Sequence, residues 1–182
     1  MTRKSSTPAE LAWDHAIHDI PASGVSAERT ASGDELVAVG RALDLVACKS
    51  LRAQYTVAPS VRGHYRLSGR LRAEVSQTCV VTLEPIDATV EEAFDAVFWP
   101  QEDMPAPESG ELALDDEPER EAIVAGQIAV GRVVFESLAA ALDPFPRKPD
   151  AVLDWQSPAS ADTSASKSEN PFAVLANLKP KD

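Results

Sequence analysis

From Val61 to Val81 the chain alternates. The odd positions carry Val61, Tyr65, Leu67, Leu71, Ala73, Val75, Cys79 and Val81, with Gly63 and Gly69 among them. The even positions carry Arg62, His64, Arg66, Ser68, Arg70, Arg72, Glu74, Ser76 and Thr78. Successive side chains of a strand leave opposite faces, so this pattern predicts one apolar face and one polar face. A helix would scatter both sets. Gln77 is the main break. The run exceeds an ordinary strand, which predicts either one long bent strand or two strands sharing a bend near Gly69.

The other segments follow by their own periods. Leu11 to Ile20, closed by Pro21 and Gly24, reads as a first strand ending in a turn. Ser32-Gly33-Asp34-Glu35 carries the capping-box spacing, and Leu36, Val39, Gly40 and Leu43 then recur at helical intervals, predicting a helix over 33–44. Leu51 to Ser60 is β-prone, Glu84 to Asp87 is a turn, and Ala88 to Trp99 between two prolines reads as a strand. Residues 101–121 form an acidic, proline-containing loop, expected to be mobile. Val130, Val133, Val134, Leu138 and Ala141 mark a second helix over 130–142, stopped by Asp143-Pro144.

The tail reads differently. Residues 1–10 are polar and expected to be loose. From about 155 to 169 the chain is mostly Ser, Ala, Asp and Lys with no apolar period, which is linker composition. Asn170-Pro171 then opens an apolar island ending near Lys179, a helix too short to stand alone in water. Its face of Phe172, Leu175 and Leu178 is expected to dock on a partner. The resulting expectation is a flexible N-terminus (1–10), one domain (11–150), then a linker with a short docking helix (151–182). The fold class is α+β: a mainly antiparallel curved sheet, or a partly open β-barrel, with two helices and a disordered C-terminal tail.

Charge narrows the function. Lys and Arg number 17 against 29 Asp and Glu, a formal net charge of −12 over 182 residues. So acidic a chain is repelled by phosphate backbones as a whole, and nucleic-acid contact requires a local basic patch. The one such feature is Arg62, Arg66, Arg70 and Arg72, which share parity with His64. It is either a solvated sheet face or a surface for rRNA phosphate or an acidic partner. No run of about 18 apolar residues and no apolar leader occurs, so a cytoplasmic location is expected.

Catalytic constellations are weak. Cys48 and Cys79 stand apart, in no metal-ligand spacing with His15, His18 or His64. Cys79 and His64 have opposite parity, so one regular strand would send them to opposite faces and prevent a thiol–imidazole pair. His15 and His18 are read as surface or edge residues. No glycine-rich phosphate loop is present, and the carboxylates of 102–121 lack an apolar frame that would raise one of their pKa values. Neither a metal nor a cofactor is expected.

Several segments are more specific: Gln77-Thr78-Cys79-Val80-Val81-Thr82-Leu83-Glu84-Pro85, Phe94 through Pro100, Leu138 through Asp143-Pro144-Phe145-Pro146-Arg147, and Asn170 through Leu175. With these motifs the chain resembles the YceD family of large ribosomal RNA subunit accumulation proteins, in its alphaproteobacterial form, from about Trp13 to Lys179. Cys79, Pro85, Asp143, Pro144 and Arg147 are the motif residues. The resemblance implies a part in making or maintaining large-subunit (23S) rRNA without enzymatic activity, through pre-50S components: the rRNA itself or a basic ribosomal protein. Many family members carry a Cys-x-Arg-Cys pair here and a later cysteine. In this sequence Thr82 stands at the second position and no cysteine follows Pro149. The family's Ile-Asp-Leu before the second helix is Ile128-Ala129-Val130, which removes an expected helix cap. The competing classes are an enzyme acting on RNA or protein, such as a nuclease or thiol hydrolase, and a general protein-binding adaptor.

Overall fold

The computed structural model describes residues 11–104 and 119–152. Seven strands and two helices follow in the order β1 (Asp14–Ala16), β2 (Val25–Thr30), α1 (Gly33–Ala42), β3 (Ala47–Pro59), β4 (Tyr65–Thr78), β5 (Pro85–Pro100), β6 (Glu119–Ile123), β7 (Gln127–Ala129) and α2 (Val130–Ala141). One sheet has the order β2-β3-β4-β5-β6, and β1 pairs with β7 in a two-stranded sheet. The large sheet is antiparallel except that β6 runs parallel to β5. It is not closed: β2 and β6 end it. The expected α+β architecture is thus an open sheet.

The long alternation became β4, fourteen residues paired with β5 along their whole length and with β3 from Tyr65 to Ser76, with one register shift between Cys48 and Ser50 on β3. Leu67, Leu71, Ala73 and Val75 turn inward and are buried, while Arg66, Arg70, Arg72 and Glu74 face out. No register shift occurs at Gly69. That residue lies directly opposite Tyr55 on one side and Phe94 on the other. A Cβ there would come within 2.5 Å of the Gln54 carbonyl oxygen and 2.7 Å of both aromatic side chains. The glycine makes room for the Phe94 ring, the Tyr55 Cβ and the neighbouring main chain rather than for a bend.

Both helices cover the inner face. α1 is capped as its sequence dictates: Glu35 N–H donates to Ser32 Oγ, and Glu35 Oε2 accepts from Ser32 N–H at 2.8 Å. Val39 from α1 and Val130, Val134 and Leu138 from α2 are buried with Leu51, Val57, Leu67 and Phe98. Each such side chain contributes about 1.5–3 kcal/mol by leaving water. Ala129 stands at the N-cap of α2 and makes no side-chain bond there. The Gly131 N–H donates instead to the Trp13 carbonyl, so the N-terminal segment closes this helix end.

Several expectations needed correction; among them, the turn foreseen over Glu84–Asp87 ends at Glu84, since β5 begins at Pro85. The strand foreseen over Leu11–Ile20 is only Asp14–Ala16, because its partner β7 is three residues long; Ile17–Asp19 form a 3₁₀ turn held by Ile17 N–H on the Gly126 carbonyl. His18 therefore leaves the strand, and His15 bonds Tyr55 Oη at 2.9 Å rather than standing free at the surface. Val61–Gly63 are a turn with Arg62 and Gly63 at positive φ, so Arg62 and His64 do not belong to the β4 face. Val25–Thr30 pairs with β3 as a strand that short-range patterning did not single out, and Glu119–Glu121 belong to β6 rather than to the acidic loop. The island at 170–179, with Phe172, Leu175 and Leu178, lies outside the described residues.

Candidate binding surface

The outer face of the large sheet carries the arginines. Arg66, Arg70 and Arg72 project from β4, and β3 adds Arg52 beside them. Arg52 stands directly opposite Arg72 in register, and Gln54 opposite Arg70. Like charges placed opposite one another across a ladder are unfavourable unless carboxylates intervene. They do: Arg66 pairs with Asp95 at 3.2 Å, Arg72 with Glu91, and Arg52 with Glu28 at 3.6 Å. Gln54 Nε2 also donates to Glu28, at 2.9 Å. Arg70 pairs with none of the described carboxylates. A shallow depression lies here, lined by Arg52, Gln54, Arg70, Arg72, Glu91 and Glu92. Arg52 was missed from the sequence although it alternates with Leu51 and Ala53; only the register brings it to Arg72.

His64 does not join this surface. Its ring stacks on Trp99 with centroids 4.4 Å apart, its side chain is 13% exposed, and Nε2 lies 3.5 Å from Asp103 without a hydrogen bond. The Arg120 guanidinium lies 5.3 Å from the Trp99 ring centroid. Cys79 lies past the opposite end of β4, on the order of 45 Å of extended chain from His64. The two cannot act together. Among the described residues no cluster of three or more His, Cys, Asp or Glu is placed to hold a metal ion. No helix among them is long and apolar enough to cross a membrane.

Two of the motif segments, 77–85 and 138–147, meet instead at the turn between β4 and β5. The Cys79 N–H donates to the Glu84 carbonyl at 2.8 Å and the Leu83 N–H to the Cys79 carbonyl at 3.0 Å, with Leu83 at φ 59°. The Asp143–Lys148 segment docks on this turn. Val80 N–H donates to the Pro146 carbonyl at 2.9 Å, Gln77 Nε2 to the Asp143 carbonyl at 2.9 Å, and Lys148 Nζ to Glu84 Oε2 at 2.6 Å. Gln77, which interrupted the alternation, is thus a tether. Pro85 begins β5, and Asp143 Oδ1 accepts the Phe145 N–H at 2.9 Å. Arg147 is exposed beside them.

Cys79 is 0% exposed and unpaired. The Thr82 hydroxyl and its backbone N–H, 3.4 Å from Sγ, hold the thiol down at about 6 against the opposing effect of burial, with further backbone donors at Lys148 and Val81. Cys48 has no such donors, and burial pushes its thiol up. Low pKa and access are separate requirements for a nucleophile; Cys79 meets the first and fails the second.

Residues 67–179, more than half of the chain, match the family described as large ribosomal RNA subunit accumulation protein YceD. The chain belongs to the YceD family. Membership links it to the accumulation of large-subunit ribosomal RNA. The matched region begins within β4 and includes the Cys79 turn and the Asp143–Arg147 segment, so the two pieces zipped together here both fall inside it. No curated protein and no solved structure matches the chain.

Proposed function

We propose that this YceD protein is a non-catalytic cytoplasmic factor that supports large-subunit rRNA accumulation by binding a basic large-subunit protein. One observation carries the choice of partner. Three of the four arginines of the outer face, Arg66, Arg72 and Arg52, are held by the protein's own carboxylates, Asp95, Glu91 and Glu28, within a chain of net charge −12. Phosphates would have to displace those pairs against a repulsive overall field, whereas a lysine- and arginine-rich protein is attracted by it. In this reading residues 11–150 act as the binding domain, and Phe172, Leu175 and Leu178 add a second contact beyond a linker.

The tagged full-length protein should co-sediment with large-subunit precursors, stay bound to large-subunit protein after nuclease digestion, and dissociate as salt rises. Release on nuclease digestion alone would overturn the protein reading. Cleavage of rRNA by the purified chain, lost in a carboxylate variant, would overturn the non-catalytic one.

A second reading has its own support. Arg52 and Arg72 face each other, and Arg70 beside them pairs with no described carboxylate, an arrangement that an rRNA phosphate would relieve. Arg70→Glu together with Arg52→Glu should then abolish nuclease-sensitive association. Unchanged association makes the row a solvated sheet face.

A further inference from the structure

The Cys79–Glu84 turn and the Asp143–Lys148 segment present three apolar side chains to solvent: Val80 at 44%, Leu83 at 76% and Phe145 at 69% exposure. These are not side chains stranded on loose loops. The backbone hydrogen bond from Val80 to Pro146 and the Lys148–Glu84 pair fasten the two pieces to each other. Gln77 ties the second piece to the end of β4, and the Phe145 N–H is fixed by its own neighbour Asp143. Leu83 is held in the left-handed region, where a bulky residue is a true outlier. Such strain persists only where the surroundings impose it. A rigid mount carrying aliphatic and aromatic groups into water is the anatomy of a protein-docking surface, since pre-ordered apolar anchors bind without further loss of side-chain freedom.

The charges nearby select the occupant. Asp143 and Asp150 are exposed, and neither pairs with a described cation; Glu84 already occupies Lys148, and the exposed Arg147 offsets only part of the remaining acidic charge. The chain as a whole carries −12. We infer that Val80, Leu83 and Phe145 form the docking surface for a basic segment of a large-subunit protein that carries an apolar side chain among its lysines and arginines. The apolar group would seat on Leu83 and Phe145 while its cations reach Asp143 and Asp150. This rests on the proposed protein partner and deepens it by placing the contact at the turn rather than on the arginine face.

The test uses the full-length chain, with RNA-free protein extracted from large ribosomal subunits as the probe. Leu83→Glu combined with Phe145→Glu should weaken binding at least tenfold, and Val37→Glu, at 62% exposure on α1, should leave it unchanged. Leu83→Ser with Phe145→Ser, which adds no charge, should weaken it in the same direction if the glutamate pair proves unstable. Binding unchanged in folded variants overturns the docking surface while the partner class stands. Failure of the unaltered chain to bind the extracted protein overturns both. A dimer of the unaltered chain that becomes monomeric in the double variant assigns the surface to a second copy and also overturns the inference.

Discussion

The Val80 N–H meets the Pro146 carbonyl at 2.9 Å, so the turn after β4 and the segment after α2 share a main-chain bond across more than sixty residues of sequence. That bond lies next to the buried Cys79. The motif residues of this YceD protein are in this sense one structural unit, and perturbing it should be visible in stability before it is visible in binding.

Cys79 makes that unit pH-dependent. Its folded pKa, about 6, lies below the ordinary value near 9, so the unfolded chain binds the thiol proton more tightly than the folded one. The thiolate's contribution is therefore fully present above about pH 9, falls as pH drops toward 6, and is absent below that. Denaturation midpoints between pH 6 and 9 should rise with pH in the unaltered protein and flatten in Cys79→Ser. A slope that survives the substitution would place its origin elsewhere.

Gly69→Ala should destabilise the sheet by about 2 kcal/mol or more. The new methyl meets the Gln54 carbonyl as well as Tyr55 and Phe94, and main chain at the centre of a sheet cannot step aside. Urea denaturation would show a lowered midpoint with an unchanged slope.

Glu35 serves two parts of the chain. Besides closing the capping box, Oε1 accepts from Trp13 Nε1 at 3.0 Å and from Ala12 N–H at 3.3 Å. Burial works against its charge, but the donors on Ser32, Ala12 and Trp13 outweigh it and keep the carboxyl below the usual range. Glu35→Ala should lower stability by about 1–2 kcal/mol at neutral pH. Because the folded pKa is depressed, this contribution fades as pH falls through it, so the gap between variant and parent should narrow in acid. Thermal melts at pH 7 and pH 3 read the difference.

Ala129 leaves α2 without a side-chain cap. Ala129→Ser should stabilise the protein by roughly 0.5–1 kcal/mol. Ala129→Asp should gain less, although aspartate is as good a cap, since Asp14 lies directly opposite it in the β1–β7 pair. Comparing the two melting temperatures separates capping from repulsion.

Much of this was visible along the chain because it depends on near neighbours. Ser32 and Glu35 are three residues apart, and the parity of Leu67, Leu71, Ala73 and Val75 needs only the pleat. β1 was foreseen but drawn too long, β7 escaped because three residues carry no period, and β2 escaped because its exposed edge position leaves little apolar signal. The arginine row was legible as a row, but its neutralisation was not, since Asp95, Glu91 and Glu28 arrive from other strands.

Local pattern settled where the long pleated segments and both helices lie, which sides of them are oily, and that the molecule is strongly acidic, since each follows from residue types at fixed spacing. Tertiary pairing alone decided that Arg52 faces Arg72, that Cys79 is enclosed far from His64, and that Val80, Leu83 and Phe145 share one mount. Those relations depend on register between strands and on contacts between distant segments, and spacing along the chain does not encode them.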